Sequence, residues 1–347
     1  MITNTLSLRR VEALLAAARR LRLLVIGDVM LDQFIWGSVT RISPEAPVPV
    51  VEFARESLMP GGAANVARNL SALGAPTSLF SLIGRDDPGK KVKQLLDEQQ
   101  VDCRGLLSQP GRPTSVKMRI VAHRQQVVRV DREARHSADA AAVRRLLAAM
   151  EPGLAGAQAV IVGDYGKGVV TQPLLDELKK TCRARGIWLS LDPKPVHALD
   201  LTGLSLITPN RKEAFELAGI PAGGGAHPAN PLADAPLLET AGKVLDQLGP
   251  ALLLITLGEQ GMLLCQRGGA PIHIPTAARE VFEVSGAGDT VIACFTLAIA
   301  AGASPLEAAI LSNHAAGVVV AKIGTATVTP EELLAAFGQA QSSGRGR

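Results

Sequence analysis

Six short apolar runs recur along the chain, each about six residues long and closed by Gly, Asp or Pro. They are RLLVIGD (22–28), TSLFSLIG (77–84), QAVIVGD (158–164), GIWLSLD (186–192), LSLITPN (204–210) and ALLLITLG (251–258). Each reads as a buried strand. Between them lie segments with helical spacing, such as AANVARNLSALG, AAVRRLLAAM and TQPLLDELKKTCRARG. Strand, helix, strand in repetition predicts an α/β fold, a doubly wound, mostly parallel sheet with helices on both faces. Ligands in such folds lie outside the carboxyl ends of the strands. Asp28, Asp164, Asp192 and Asn210 stand at those ends.

Two segments break the pattern. VPVVEFAR (48–55) and TSVKMRIVAHRQQVVRVDRE (114–133) alternate like antiparallel strands, the second turning near Arg124. They predict a small β lid, residues 34–55 and 112–133, inserted in a single domain of residues 1–347. The loop IPAGGGAHPANPLADAP (220–236) reads as mobile, and residues 342–347 as a flexible tail.

Composition narrows the class. The 47% of hydrophobic residues promise a large core, and the 3% of aromatics make it an aliphatic one. Net charge is +4, but Lys and Arg are scattered. No basic stripe with interleaved aromatics appears, so a phosphorylated small molecule suits these cations better than nucleic acid. The four cysteines form no C-x-x-C pair and read as reduced core residues. The amino-terminal stretch reads as an amphipathic helix without a cleavage site. The apolar run after Asp289 is about 14 residues, short of the ~20 a span needs. No membrane association is expected, and the protein reads as cytoplasmic.

The chemistry gathers at EVFEVSGAGDTVIACFTLAIAAG (280–302). Gly286, Ala287 and Gly288 precede a buried helix, and glycine lets successive N–H groups converge on one anion. Asp289, in the same turn, is either a cap or a base that takes a proton from an attacking hydroxyl. A second glycine pair, Gly61 and Gly62, enters a helix carrying Asn65. TPNRKE places Asn210 and Glu213 three apart at a strand-to-helix junction, a spacing suited to a hydrated Mg²⁺ and phosphates. TLGEQG ends a strand in a glycine turn where an adenine nucleotide would fit. Neither G-x-x-x-x-G-K-[ST] nor G-x-G-x-x-G occurs.

In this order GGAANVA, TPNRKE, TLGEQG and VSGAGDTVIACF resemble the ribokinase-like (PfkB) sugar kinases, over about Leu23 to Pro330. GDVMLDQFIWGSVTRISPEAPVPVVEF, VKMRIVAHRQQVVRVD, GDYGKG and LDPK are similar to the branch that phosphorylates O1 of heptose 7-phosphate, on the route to ADP-heptose for the lipopolysaccharide core. The resemblance implies ATP as co-substrate, Mg²⁺, and a monovalent cation in some members. It implies Asp289 as base, with Gly286, Ala287 and Gly288 as the anion hole. Asp32, Gly61, Gly62 and Asn65 would face the sugar, and Asp164 the sugar, a metal water or only its own turn. Arg41, Ser43, Lys117, Arg119 and Lys194 become candidates for the sugar's phosphate, Lys194 foremost; Arg129 also lies on the lid. Asn210, Arg211, Lys212, Glu213, Thr256, Gly258, Glu259 and Gly261 would bind ATP, with Asn210 and Glu213 at the metal. Tyr165, the sole tyrosine, reads as packing, and the histidines as surface or core. Many relatives add a nucleotidyltransferase; this chain closes soon after the kinase motifs, so that activity is expected to be absent. A homodimer paired through the lid is expected. A kinase of ribose or fructose type, and a sugar-binding regulator without catalysis, stay open.

Overall fold

The structure is a computed structural model that describes residues 6–123, 125–134, 136–195, 198–221 and 228–344. After α1 (Leu8–Ala18), β1 (Leu23–Gly27) opens a large sheet. The chain leaves it through β2 (Val29–Ile42) and β3 (Pro49–Gly62), then returns by α2 (Ala63–Ala72) and β4 (Thr77–Ile83). α3 (Asp87–Asp97) and β5 (Asp102–Ser108) follow, and β6 (Ser115–Ala122) and β7 (Gln125–Arg132) leave the sheet again. Next come α4 (Ala140–Leu154), β8 (Ala159–Gly163), α5 (Gln172–Arg185), β9 (Trp188–Asp192) and β10 (Leu206–Ile207). α6 (Arg211–Ala218), α7 (Ala235–Leu248), β11 (Leu252–Thr256), β12 (Met262–Gln266) and β13 (Ile272–Ile274) complete the sheet. α8 (Ala287–Ala300), α9 (Pro305–Val319) and α10 (Pro330–Gly344) end the chain.

The large sheet has nine strands in the order β13-β12-β11-β10-β9-β8-β1-β4-β5. From β11 to β5 every pairing is parallel; β12 and β13 add antiparallel. All six apolar runs form strands of the parallel part, so their carboxyl ends share one edge. Side chains alternate across a strand, and β1 divides accordingly. Leu23 and Val25 pack with residues of α1, α2, α8 and α9, while Leu24 and Ile26 pack with α4, α5, α6 and α7. Two cores, one per face, are the consequence.

The second sheet has four strands, β3-β2-β6-β7. It starts closer to the large sheet than the alternation suggests: β2 begins at Val29 and β3 ends at Gly62, outside the expected 34–55. Val29 pairs with Gly62, and the Ala63 N–H donates to the Asp28 carbonyl at 3.0 Å, pinning the hairpin's base to the end of β1. β6 and β7 fall within 112–133; the expected turn at Arg124 lies outside the described residues. In the 220–236 loop, residues 222–227 also lie outside them, whereas Pro231–Ala233 forms a single helical turn and Asp234 caps α7. α10 runs to Gly344, past the start of the expected tail, and 345–347 are outside the described residues. Among the described residues no helix is long and apolar enough to cross a membrane.

Candidate active site

A helix that is apolar all round belongs in a core. In α8 every residue from Asp289 to Ala298 is buried. Gly286 caps it with φ +82°, a conformation glycine adopts without strain, and a Cβ there would stand 2.6 Å from Asn65 Nδ2. The first N–H groups of a helix have no intrahelical acceptor, and those of Gly288 and Asp289 occupy this turn. A Cβ on Gly288 would meet nothing within 4 Å, so the turn opens on free space.

Both oxygens of Asp289 are held. Asn65 Nδ2 donates to Oδ2 at 2.8 Å, and the Tyr165 hydroxyl donates to Oδ1. Burial raises the carboxyl to about 6, against these two bonds; the charge of Asp32 raises it further and that of Arg68 lowers it. Arg68 is itself buried, donating to the Pro60 and Thr325 carbonyls at 3.2 and 2.9 Å and to Gln99 at 2.6 Å, and burial pulls its pKa down to about 10. A carboxyl near 6 is matched to a general base at neutral pH. Tyr165 is therefore part of the site, which corrects its reading as packing. Because its hydroxyl lowers the Asp289 pKa, Tyr165→Phe should move the acid limb of kcat to higher pH. A limb unchanged or moved downward would remove the tyrosine from that role.

GDYGKG folds around the Asp28 carboxylate. The Asp28 carboxylate accepts from Tyr165 N–H at 3.0 Å and from Lys167 and Val169 N–H at 2.9 Å each. Asp164 accepts from Gly166 N–H at 3.0 Å, a bond within its own turn.

On the small-sheet side, Asp32 is buried and takes a 2.6 Å ion pair from Arg119. A Cβ on Gly61 would overlap Asp32 Oδ2 at 2.0 Å, so this glycine makes room for the carboxylate. Gly62, at φ +63°, lies under Tyr165. Burial raises the Asp32 pKa, against the Arg119 bond. Lys117 shares this face. Arg41 and Ser43 do not: they sit at the hairpin tip, roughly nine residues beyond Asp32, about 30 Å along the strand at ~3.3 Å per residue. They are not brought into the site of their own chain.

At the other side, Asn210, Arg211, Lys212, Thr256, Gly258 and Glu259 line one cavity of about 490 Å³. Thr256 N–H donates to the Pro209 carbonyl at 3.0 Å, joining the two strand ends. Gly261 is not among the residues that line this cavity; at φ +86° a Cβ there would strike the Ile274 carbonyl at 2.1 Å, so the glycine permits the turn into β12. Asn210 and Glu213 form a capping box, Asn210 Oδ1 accepting from Glu213 N–H and Glu213 Oε2 accepting from Asn210 N–H, both at 3.0 Å. Glu213 Oε1 takes Lys194 Nζ at 2.8 Å. Lys194 thus stands with the 210–213 group and not beside Asp32, which corrects its assignment to the sugar's phosphate. Asp192 completes this side. Burial, then the charges of Asp289 and Glu213, push its carboxyl well above the usual range.

Tyr165 and Arg68 are residues that sequence reasoning did not place in the site, whereas Asp192 was marked as one of the strand-end carboxylates without a role of its own. Two signals existed: a lone tyrosine just past a strand end, and an arginine on a short helix that also carries Asn65 and Asn69.

Residues 20–332 match the pfkB family carbohydrate kinase pattern. The chain belongs to that family of carbohydrate kinases. It is 43% identical over 328 residues to a bifunctional protein HldE of Trichlorobacter lovleyi, covering 94% of this chain and 65% of that protein. With a bifunctional protein HldE of Caulobacter vibrioides it shares 47% identity over 320 residues, 92% of this chain and 64% of the relative. The chain thus spans just under two thirds of the length of these relatives. The fold matches that of Arabidopsis thaliana ribokinase complexed with ribose and ATP, at a TM-score of 0.70 and 20% identity over 91% of this chain and 98% of the other. It also matches phosphofructokinase-2 of Escherichia coli in complex with substrates and products, at 0.73 and 18% over 92% and 100%.

Proposed function

We propose that the protein transfers the γ-phosphoryl group of ATP to O1 of D-glycero-β-D-manno-heptose 7-phosphate, giving the 1,7-bisphosphate for ADP-heptose and lipopolysaccharide core synthesis. One observation carries the reading: a buried carboxylate, held at both oxygens and poised near pH 6, faces the open first turn of α8. The Asp32–Arg119 pair flanks it on one side and the 490 Å³ cavity at Asn210 and Thr256 lies on the other. The similarity to the HldE proteins supports the choice of sugar.

In this reading the sugar lies against Asp32, Asn65 and Gly61, and ATP fills the cavity. Asp289 removes the O1 proton as the oxygen attacks the γ-phosphorus. The bond from that phosphorus to the bridging oxygen breaks, and ADP carries away the electron pair. A positioned base contributes typically ~10²- to 10⁴-fold, and the N–H groups of Gly288 and Asp289 would hold charge on the moving phosphoryl group. Mg²⁺ fits the donor set. Among the described residues no three acidic, His or Cys side chains cluster. Mg²⁺ commonly uses one or two carboxylates, waters and phosphates instead. Asp192 and Glu213 would hold it through water, since Asn210 and Lys194 already occupy both Glu213 oxygens. When bound, the ion would neutralise phosphate charge.

We also read the enzyme as cytoplasmic and as a homodimer through the small sheet, which exposes Ile42, Phe53, Val128 and Val130. ADP release over a panel of sugars and sugar phosphates tests the reading. Heptose 7-phosphate should give the highest kcat/KM by at least about tenfold, the effect of roughly one charged contact. Ribose, or fructose and its phosphates, turning over as fast would reassign the substrate, and no ADP with any sugar would leave a binding protein.

A further inference from the structure

The face of the small sheet that carries Asp32 also carries cations. Cross-strand partners point the same way. Asp32 is in register with Lys117 on β6, and Lys117 with Asp131 on β7. The neighbouring cations are engaged: Arg119 on Asp32 at 2.6 Å, Arg129 on Asp131 at 3.0 Å, Lys167 on Glu133 at 2.7 Å. Lys117 is half-buried, yet among the described residues its ammonium has no ion pair or hydrogen bond.

Burial, and then the nearby Lys167, push the Lys117 pKa down, against the attraction of Asp131, Asp32 and Glu133. A half-buried ammonium beside a second one is unfavourable unless an anion joins them. Lys167 is fixed in place: its N–H is held by Asp28 at 2.9 Å, on the same loop that lends Tyr165 to Asp289. Asp289 feels the charge of Asp32, Asp32 lies opposite Lys117 in the register, and Lys117 feels the charge of Lys167, so the four are successive neighbours. A sugar with its acceptor hydroxyl at Asp289 and its middle hydroxyls at Asp32 would bring its far end toward Lys117.

We propose that Lys117 and Lys167 form the subsite for the phosphate monoester at the far end of the sugar, and so set the preference for a phosphorylated substrate. This rests on the sugar-phosphate reading above. A lysine binds phosphate as a point charge, and the dianion would draw Lys167 away from Glu133 to bridge the two ammonium groups.

Steady-state kinetics with heptose 7-phosphate and with unphosphorylated heptose test it. Hydrogen bonds to charged groups make Lys117→Met raise the KM for heptose 7-phosphate roughly 10- to 150-fold, and Lys167→Met raise it less, since Glu133 shares that lysine. The KM for ATP and the kcat/KM for unphosphorylated heptose should stay within about threefold, the scatter of surface substitutions. Lys117→Arg should retain part of the affinity. Lys194→Ala, by contrast, should raise the KM for ATP. Equal losses on both sugars, or none, would overturn the subsite while leaving the kinase reading intact. If the wild type shows no preference for the phosphorylated sugar, the substrate reading fails instead. Thermal stabilisation by inorganic phosphate then decides the subsite: it should be present in the wild type and lost in Lys117→Met, and equal stabilisation of both proteins would overturn it.

Discussion

Asp289→Asn should fold, bind ATP as the wild type does, and lose about 10²- to 10⁴-fold in kcat, the usual contribution of a positioned base. The amide is nearly isosteric, and its oxygen can keep the Asn65 bond while Tyr165 rotates to accept from the new NH₂. The charge is all that disappears. Its sign is testable. The folded-state pKa of about 6 lies above the ordinary 3.8. The stability this group contributes is therefore present below pH ~4 and lost as pH rises through ~6. At pH 8 the ionised carboxylate weighs against the fold, so the Asn variant should be no less stable than the wild type there. A kcat within tenfold of wild type, or a loss of stability at pH 8 matching the loss of activity, would contradict the base assignment.

Arg68→Leu should have the largest effect on stability. The guanidinium satisfies the Pro60 and Thr325 carbonyls and lies among Asp32 and Asp289, which raise its pKa by their charge. Leucine would strand two carbonyls and remove a positive charge that both Asp32 and Asp289 feel, while Asp32 keeps Arg119. Stranding a buried acceptor costs about 1–3 kcal/mol, to be read from denaturant midpoints. Because Arg68 lowers the Asp289 pKa, whatever activity survives should show its acid limb at higher pH. A cost below about 1 kcal/mol would place Arg68 among the surface residues.

The parallel sheet was legible because each of its central strands is an apolar run ending in Gly, Asp or Pro. β5, DCRGLLS, escaped because an edge strand with exposed Arg104 lacks that pattern; β12 and β13 are short antiparallel additions with no helix between them. The hairpin base was hidden for the opposite reason: Val29 to Asp32 are all buried and continue the apolar run of β1 without alternation. Within the site, Gly286 and Asp289 were readable because a positive φ and a carboxylate at a helix mouth each leave a local mark. Lys194 was misplaced because a strand end says nothing about which neighbour it faces. Sheet order decides that, and β9 lies beside β10, whose end leads into Asn210 and Glu213. Tyr165 left only the mark of a lone aromatic past a strand end, with no periodicity to give it a direction; the Asp28 turn aims it at Asp289.

The claim that O1 is deprotonated at Asp289 and accepts the phosphoryl group is tested most directly by the product itself. ³¹P NMR of heptose 7-phosphate incubated with ATP and the enzyme should show a new anomeric phosphate resonance growing with ADP while the 7-phosphate signal persists, and no such growth with Asp289→Asn. Phosphate appearing on another hydroxyl, ADP forming with only inorganic phosphate, or the same anomeric product at an undiminished rate from Asp289→Asn would contradict it.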